Sequence, residues 1–271
     1  MEEFKKQGLG VGAIMYDSQE ILADFSARKK ITFPMLSDPG SNVIKAFGVL
    51  NTFVPAGDMQ YGIPFPGTFI VDHNGVVISK YFESQYQDRY SAPTILAREF
   101  GSPAGTRETS VKTAHLEMKS YVTRDVVRPN LRFTVVANIE LKPKMHVYAP
   151  GVADFIPIEF QIDPSSNFKT KPVIFPKPEK KYLAPIKQTV QVYEGKFQVT
   201  QDINMAANDV LQPILSGSKE LKITGRLRYQ ACDDSICYLP QNVPLEWIVK
   251  VDPLDRDRVP EPIQHKAAAA K

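Results

Sequence analysis

The sequence is poor in the residues from which several common functional sites are built. Only two of its 271 residues are cysteine and four are histidine, and the histidines do not cluster. A disulfide-built fold uses many more cysteines, and a four-ligand zinc site needs further Cys or His partners beside the pair. The net charge is only +3, which does not favour a nucleic-acid-binding surface. We therefore expect no metal and no nucleic-acid partner.

Long apolar runs and cofactor motifs are also missing. The longest apolar runs are short, such as residues 75–78, whereas a membrane-spanning helix needs about 20 apolar residues. The first ten residues, MEEFKKQGLG, contain no apolar segment of the kind found in signal peptides. The glycines of GLGVG precede a strand pattern, whereas a dinucleotide fingerprint follows one. We expect no membrane insertion and no cofactor, and we expect the segment to begin inside a longer protein.

Residues 1–101 alternate between helical and strand patterns, as an α/β domain does. Ser18 is suited to cap the first long helix, and Asn74-Gly75 is a strong signal for a hairpin turn. The pattern predicts a strand in 8–18, helices in 18–30, 41–49 and 91–100, and a hairpin in 66–83.

After residue 101 the pattern changes to short alternating runs separated by prolines. Residues 102–111, which begin SPAGTRETS, have the composition of a linker. Residues 112–253 contain short strand patterns at regular spacing, which is typical of an all-β sandwich. Residues 254–271 are expected to form a poorly ordered tail. The fold class is therefore α/β plus all-β.

The two cysteines lie between two strongly alternating strand patterns. Cys232 and Cys237 stand at the two ends of a short loop, CDDSIC, so they are expected to face each other. Cross-strand Cα distances of about 4.5–5.5 Å suit a disulfide. The residues expected on the apolar sides of the flanking strands are Leu221, Ile223, Leu227, Tyr229, Val243, Leu245, Trp247 and Val249.

The residues alone leave open whether this pair is a structural staple or a reactive centre. A cross-link closing a loop of about six residues stabilises a fold by roughly 2 kcal/mol, less than one closing a longer loop. Stabilisation of the fold is therefore a weak explanation for placing the two cysteines so close together in the sequence. Against a reactive role, Asp233 and Asp234 are adjacent carboxylates, which raise the pKa of a thiol and slow its attack.

The first part of the chain resembles the AhpC/TSA peroxiredoxin family. The resemblance rests on VGAIMYDS, FPMLSDPGSNVIKAFGV and GIPFPGTFIVDHNGVV, within roughly residues 1–83. It implies a thioredoxin-like fold that lacks its N-terminal active-site segment. Residues 1–100 contain no cysteine, so they cannot supply the thiolate that peroxide reduction needs. Pro66, or alternatively Pro64, resembles the active-site proline that is cis in thioredoxins.

The second part resembles the N-terminal periplasmic domain of DsbD, a thiol:disulfide interchange protein. The tract RYQACDDSICYLPQNVPLEW carries this resemblance, supported by MHVYAP and VQVYEGKF, over roughly residues 112–251. It implies an immunoglobulin-like β-sandwich in which Cys237 forms mixed disulfides with partners and Cys232 resolves them. It also implies that Tyr193 shields the cysteines, although Gln191 and Val192 stand where the family has acidic residues. The other supporting residues that it implies are Tyr229, Gln230, Tyr238, His146 and Tyr148.

Together the two resemblances predict a truncated thioredoxin-like domain followed by an immunoglobulin-like β-sandwich. The predicted function is thiol–disulfide exchange through Cys232 and Cys237, with thiol/disulfide redox proteins as partners. A disulfide and the DsbD resemblance favour a periplasmic or other extracytoplasmic location. Two alternatives are an interaction module with an inert disulfide and a fragment of a thiol peroxidase. The sequence does not indicate an oligomeric state.

Overall fold

The computed structural model describes residues 2–82, 89–101, 107–183 and 187–264. Contacts within the chain divide these residues into two units. The first unit comprises the described residues up to Tyr90 together with those from Asp255 onward. The second unit comprises the described residues from Ser91 to Leu254.

The first unit contains a β–α–β arrangement and a β-hairpin. The strands of the first pair run parallel and those of the hairpin run antiparallel. This confirms the strand, the two helices and the hairpin predicted for residues 8–83. The elements are α1 (Glu2–Lys6), β1 (Ala13–Met15), α2 (Gln19–Lys29), β2 (Met35–Ser37), α3 (Asn42–Ala46), β3 (Gly67–Val71) and β4 (Val77–Phe82).

Local hydrogen bonds fix the ends of these elements. The hydroxyl of Ser18 accepts a hydrogen bond from the Ile21 amide (3.3 Å), so Ser18 is the predicted N-cap of α2. In the hairpin turn, one carboxylate oxygen of Asp72 accepts from the amides of Asn74 and Val76, both at 2.9 Å. These bonds, the one from Val76 first, lower the pKa of Asp72.

The segment around Pro64 and Pro66 differs from the expectation of a cis proline. No cis peptide bond occurs among the described residues, so both prolines follow trans bonds. The chain runs extended here beside residues 49–51: the Phe65 amide donates to the Val49 carbonyl at 2.7 Å, and the Asn51 amide donates to the Ile63 carbonyl at 3.0 Å. Trans peptides suit this extended, ladder-like pairing, and the expectation of a cis bond at either position is corrected.

The described part of the C-terminal tail forms ion pairs with α2. Lys29 pairs with Asp255 at 2.7 Å, and Arg28 pairs with Asp257 at 2.7 Å. The tail continues to a short 3-10 turn at Glu261–Ile263. The predicted tail, residues 254–271, thus contains these ion pairs and this turn, and its residues 265–271 lie outside the described residues.

The second unit is rich in strands. Its helices are α4 (Ala92–Phe100) and α5 (Asn208–Ser216). Its strands are β5 (Thr109–Lys112), β6 (Leu116–Val122), β7 (Val126–Val127), β8 (Arg132–Leu141), β9 (His146–Tyr148), β10 (Glu159–Ile162), β11 (Phe168–Ile174), β12 (Glu179–Leu183), β13 (Gln188–Glu194), β14 (Lys196–Met205), β15 (Glu220–Tyr229), β16 (Ala231–Cys232) and β17 (Gln241–Val251).

Two sheets share one hydrophobic core, and a third carries the cysteines. The core sheets have the strand orders β10-β15-β17-β7 and β11-β14-β8-β6-β5, and the third has the order β12-β13-β9-β16. All the residues predicted on the apolar sides of β15 and β17 are buried. Ile223 lies opposite Trp247, whose indole N–H donates to the Ser120 hydroxyl of the other core sheet at 3.2 Å. The two core sheets therefore form a sandwich, as expected.

The helix predicted at the end of the first domain belongs to the second unit. The hydroxyl of Thr94 lies 3.0 Å from that of Thr134, and Arg98 pairs with Asp202 at 2.8 Å. These partners are strand residues of the second unit, which begins at Ser91, before α4, whereas the predicted domain boundary is at residue 101.

Two further differences concern the predicted linker and a missed helix. Residues 109–111, assigned to the linker, belong to strand β5, which pairs antiparallel with β6. Residues 102–106 of the linker lie outside the described residues. Helix α5 was not predicted, because Pro213 within it is a residue that ordinarily breaks helices. In the described ranges, every helix falls short of the length and apolarity required to span a bilayer.

Candidate active site

The candidate site is a disulfide at the end of a tight hairpin. The sulfurs of Cys232 and Cys237 are bonded, and the two residues form an antiparallel bridge. The Tyr238 amide donates to the Ala231 carbonyl at 2.8 Å on one side of the pair. On the other side, the Asp233 amide donates to the Ile236 carbonyl at 2.9 Å. The two cysteines therefore face each other across the hairpin, as predicted.

The two sulfur-bearing residues differ in their access to solvent. Cys232 is only 1% exposed and packs in a small apolar cluster with Tyr148, Val190 and Val192. Cys237, by contrast, is exposed at the surface of the turn. Since nucleophilic attack on a disulfide depends on access to one sulfur, an incoming thiolate meets Cys237 first.

The two aspartates between the cysteines are engaged in holding the turn. One carboxylate oxygen of Asp233 accepts from the amides of Ser235 (2.7 Å) and Ile236 (2.8 Å), and the other accepts from the Tyr238 hydroxyl (2.9 Å). Hydrogen bonds from Ile236 and then Ser235 lower the pKa of Asp233. Asp234 lies 3.2 Å from the ammonium group of Lys181. Both carboxylates therefore have partners of their own beside the cysteines.

Gln230, Tyr238 and Tyr229 anchor the strands that flank the turn. The side-chain amide of Gln230 donates to the Tyr238 carbonyl at 2.9 Å. The Tyr238 ring lies over His115, with ring centroids 4.5 Å apart. The hydroxyl of Tyr229 lies 2.7 Å from that of Thr113. These residues support the position of the hairpin, but none of these contacts reaches a sulfur atom.

Tyr148 and Phe155 are the aromatic side chains beside the disulfide. The hydroxyl of Tyr148 lies 3.7 Å from the sulfur of Cys237. Its ring stacks on Phe155 with centroids 4.1 Å apart, and Phe155 packs against the cluster that contains Cys232. Phe155 was not predicted, because it lies between β9 and β10, far from the cysteines in sequence.

His146 lies beside the buried cysteine. In the pairing of β9 with β16, His146 is directly opposite Cys232, and its side chain is 1% exposed. Its ring meets that of Tyr148 edge to face at 5.6 Å. Neither ring nitrogen has a hydrogen-bond partner within the described part of the chain. His146 and Tyr148 are thus both on strand β9, which pairs with the strand that contains Cys232.

Tyr193 lies on the opposite side of the third sheet from the cysteines. Its ring stacks on Phe197 at 4.8 Å, and its hydroxyl donates to the Pro176 carbonyl at 2.9 Å. Val192, its neighbour in β13, packs in the Cys232 cluster instead. Successive side chains of a strand point to opposite faces, so Tyr193 faces the sandwich core and the expectation that it shields the cysteines is corrected.

Charged residues of the third sheet complete the surroundings. Lys181 of β12 pairs with Glu194 of β13 at 2.6 Å, as well as with Asp234. Burial alone lowers the pKa of Lys181, but the bonds to Glu194 and Asp234 outweigh it, and the net pKa is raised. Over the ranges that the structure describes, no group of three or more His, Cys, Asp or Glu side chains is arranged to hold a metal.

Comparison with known proteins divides the chain into two matched segments. The chain matches two families. Residues 1–80 match the AhpC/TSA family, and residues 116–245 match the family described as thiol:disulfide interchange protein DsbD, N-terminal. The DsbD-type segment contains both cysteines and the strands around them. The AhpC/TSA segment is a partial match to a peroxiredoxin.

Curated relatives of the AhpC/TSA segment are peroxiredoxins. Peroxiredoxin Q, chloroplastic, of Sedum lineare is 37% identical over 86 residues, which is 32% of this chain and 42% of that protein. The protein of the same name from Arabidopsis thaliana is 34% identical over 86 residues, 32% of this chain and 37% of that protein. The chain spans half or less of the length of the curated relatives it matches.

Two solved structures similar to the chain are the N-terminal domains of ScsB and of DsbD. The N-terminal periplasmic domain of ScsB from Proteus mirabilis has a TM-score of 0.37 and 14% identity, and the match covers 53% of this chain and 50% of that one. The DsbD N-terminal domain of Neisseria meningitidis in the reduced form has a TM-score of 0.31 and 18% identity. That match covers 43% of this chain and 77% of that one.

Proposed function

We propose that the second unit exchanges disulfides with thiol/disulfide redox proteins through Cys237 and Cys232. Cys237 is the residue that forms the mixed disulfide, and Cys232 is the resolving thiol. The observation that carries this assignment is the contrast between an exposed Cys237 and a Cys232 that is 1% exposed. A partner thiolate approaching from solvent therefore has access to one sulfur only.

The exchange proceeds in two displacements. A partner thiolate attacks the Cys237 sulfur, a partner–Cys237 disulfide forms, and the Cys232–Cys237 bond breaks with its electron pair on Cys232, which takes up a proton. A second thiolate of the partner then attacks the partner sulfur and releases Cys237 as thiolate. The pair gains two electrons and the partner becomes a disulfide. In the reverse direction, Cys232 attacks Cys237 and releases the partner as thiol.

Two further aspects of the proposal rest on the family matches and on general redox chemistry. We infer a thioredoxin-like fold for the AhpC/TSA segment and an immunoglobulin-like fold for the DsbD-type sandwich. Exchange of a stable protein disulfide is expected outside the cytoplasm, in a periplasm or similar compartment, because thiols are kept reduced inside. An inert disulfide module and a peroxidase fragment are less well supported. The inert module leaves the exposure of Cys237 without a role. The peroxidase fragment needs a thiolate, which residues 1–100 do not contain.

Paired cysteine variants test the assignment. Cys232→Ser leaves the exposed Cys237 thiol, and this variant is expected to form a stable mixed disulfide with glutathione disulfide, detected by mass spectrometry. Cys237→Ser leaves only the buried thiol and is expected to form little or none. Because both variants lose the same cross-link, any difference between them reflects the position of the remaining sulfur. Equal trapping by Cys237→Ser contradicts the proposal.

The reduction potential of the wild-type pair provides a second test. Titration against glutathione, with mass spectrometry as the readout, is expected to give a value of about −180 to −270 mV, the range of exchange catalysts. A value below about −300 mV is typical of structural disulfides and favours the inert interaction module instead.

A further inference from the structure

Cys232 and His146 are direct cross-strand neighbours in the third sheet. They form a pair in the antiparallel ladder of β9 and β16, and each is 1% exposed. Residues directly opposite each other in such a ladder have Cβ atoms about 4.5–5.5 Å apart and point to the same face. The imidazole of His146 is therefore placed next to the sulfur that solvent does not reach.

The imidazole has hydrogen-bonding capacity that the disulfide form leaves unused. Both ring nitrogens of His146 are buried and without a hydrogen-bond partner in the described ranges. Buried polar atoms in folded proteins are nearly always paired, because an unpaired one costs free energy. In the disulfide, Cys232 has no proton to offer. In the reduced state its thiol supplies a donor at this position, which gives the imidazole a partner.

Burial, assisted by the charge of Lys181, keeps the imidazole of His146 neutral. Burial and then Lys181 of β12 lower the pKa of His146, while Glu194 of β13 and the turn residues Asp234 and Asp233 raise it. The net pKa lies below the usual 6.5, so the ring is neutral near pH 7. A neutral imidazole has one nitrogen free to accept a proton.

We propose that His146 accepts the proton of Cys232 when this buried thiol attacks the mixed disulfide at Cys237, a role that rests on the exchange function proposed above. The proton passes from Cys232 to a ring nitrogen as the Cys232–Cys237 bond forms. The bond between Cys237 and the partner breaks, and the partner sulfur leaves with the electron pair and takes up a proton. In the opposite direction, Cys232 departs with the electron pair and takes up a proton through the imidazole, which regains a proton from solvent.

The buried position of Cys232 explains why the step needs a base. Only the thiolate is nucleophilic, and a cysteine of ordinary pKa, about 8.5, is only about 3% thiolate at pH 7. An apolar environment reduces that fraction further. A base beside the sulfur takes the proton as the new bond forms, so the attack does not depend on the thiolate already present, and this help is worth about 100-fold or more in rate.

The two steps can be separated with 5,5′-dithiobis(2-nitrobenzoate) as the probe. Reduced full chain releases one nitrothiobenzoate when Cys237 attacks the reagent, and a second when Cys232 resolves the mixed disulfide. Stopped-flow absorbance follows the two phases from about pH 5 to about pH 9. In the wild type, the second phase is expected to accelerate as His146 loses its proton, below pH 6.5, and then to level off.

His146→Gln and His146→Phe are expected to slow the second phase about 100-fold at pH 7 and to shift its rise toward the ionisation of the thiol itself. The first phase is expected to keep its rate. His146→Phe retains the edge-to-face packing on Tyr148 and serves if the Gln variant fails to fold. His73→Gln, which removes an exposed histidine of the β3–β4 turn, is the matched control and is expected to leave both phases unchanged.

The outcomes distinguish this inference from the proposed function. If folded His146 variants keep the wild-type rate and pH profile of the second phase, the proton-acceptor role is wrong while exchange stands. If the wild type shows no unimolecular second phase, or if Cys237→Ser retains the first phase at full rate, the exchange function itself fails.

Discussion

The hydroxyl of Tyr148 lies 3.7 Å from the sulfur of Cys237, at the exposed end of the disulfide. Tyr148 is itself only 2% exposed, and its ring stacks on Phe155. The hydroxyl is therefore held at the sulfur by packing. Tyr148 thus has two effects, since it offers a hydrogen bond to the proposed nucleophile and places an aromatic ring beside the disulfide.

Removing this hydroxyl should slow the chemistry of Cys237. A hydrogen bond of this kind contributes about 0.5–1.5 kcal/mol, so its loss from the thiolate should reduce reactivity about 2- to 10-fold. The measurement is the rate at which iodoacetamide alkylates Cys237 in a Cys232→Ser background, with and without Tyr148→Phe, at neutral pH. Tyr193→Phe is the control, because its hydroxyl bonds to Pro176 on the other face of the sheet. Faster alkylation in Tyr148→Phe speaks against the hydrogen bond.

Phe155 is expected to protect the disulfide from small thiols. It stacks on Tyr148 and packs against the Cys232 cluster, so Phe155→Ala should open that side and speed reduction by dithiothreitol several-fold. The rate is followed by acid quenching and thiol alkylation. Phe175→Ala removes another half-buried phenylalanine, one that stacks with Tyr193, and should leave the rate unchanged. Equal acceleration in both variants would indicate general loosening of the fold rather than loss of a cover.

The local elements and the hairpin position of the cysteines could be predicted from sequence because their signals are short-range. Ser18 caps its own helix, Asn74-Gly75 turns its own hairpin, and the alternation in β15 and β17 identifies their buried faces. The turn between Cys232 and Cys237 likewise closes within six residues. Each of these features depends on residues within a few positions of one another.

The composition of the site could not be predicted in full, because its other members come from distant strands. Phe155 reaches the disulfide only through the path of the chain between β9 and β10. Tyr193 was assigned to the wrong face of β13. Its neighbour Val192 packs in the cluster of Cys232, so the alternate residues of β13 that include Val192 are the ones that face Cys232. Lys181 and Glu194 join the site only because β12 and β13 pair with β9 in one sheet. Helix α4 joins the second unit through hydroxyl contacts that periodicity does not indicate.

A buried ion-pair network should control the stability of the second unit. Asp202 is 1% exposed; it pairs with Arg98 at 2.8 Å and with Arg132, and it accepts from the Thr134 hydroxyl at 2.6 Å. Asp202→Ala removes the buried carboxylate that two guanidinium groups share and should cost about 3–5 kcal/mol in the free energy of unfolding.

Urea unfolding followed by fluorescence of Trp247, the single tryptophan of the chain, measures this cost. The control is Glu140→Ala, which breaks an exposed pair with Lys196 in the same sheet and should cost less than about 1 kcal/mol. Similar losses in the two variants would show that the buried network contributes no more than a surface pair.

The lowered pKa of His146 should make the sandwich less stable in mild acid. Burial, and then Lys181, lower the pKa of this residue below 6.5 in the folded state, so the unfolded chain binds the proton at a higher pH than the folded chain. The free energy of unfolding should therefore be unaffected by this group well above pH 6.5 and should fall as the pH drops from there toward the folded-state pKa.

His146→Phe removes this ionisation and should reduce the loss of stability between about pH 7.5 and about pH 5.5, measured by urea unfolding with Trp247 fluorescence. The carboxylate of Asp233 has a pKa lowered from 3.8, so its protonation destabilises the fold only at more acidic pH and does not obscure the comparison. Asp233, which accepts hydrogen bonds from Ile236 and Ser235, and His146 therefore take up protons in separate pH ranges. Their effects on the free energy of unfolding can be assigned independently. If this variant loses as much stability as the wild type over this pH interval, the surroundings of His146 do not hold its imidazole neutral. The base proposed for Cys232 would then lack its lowered pKa.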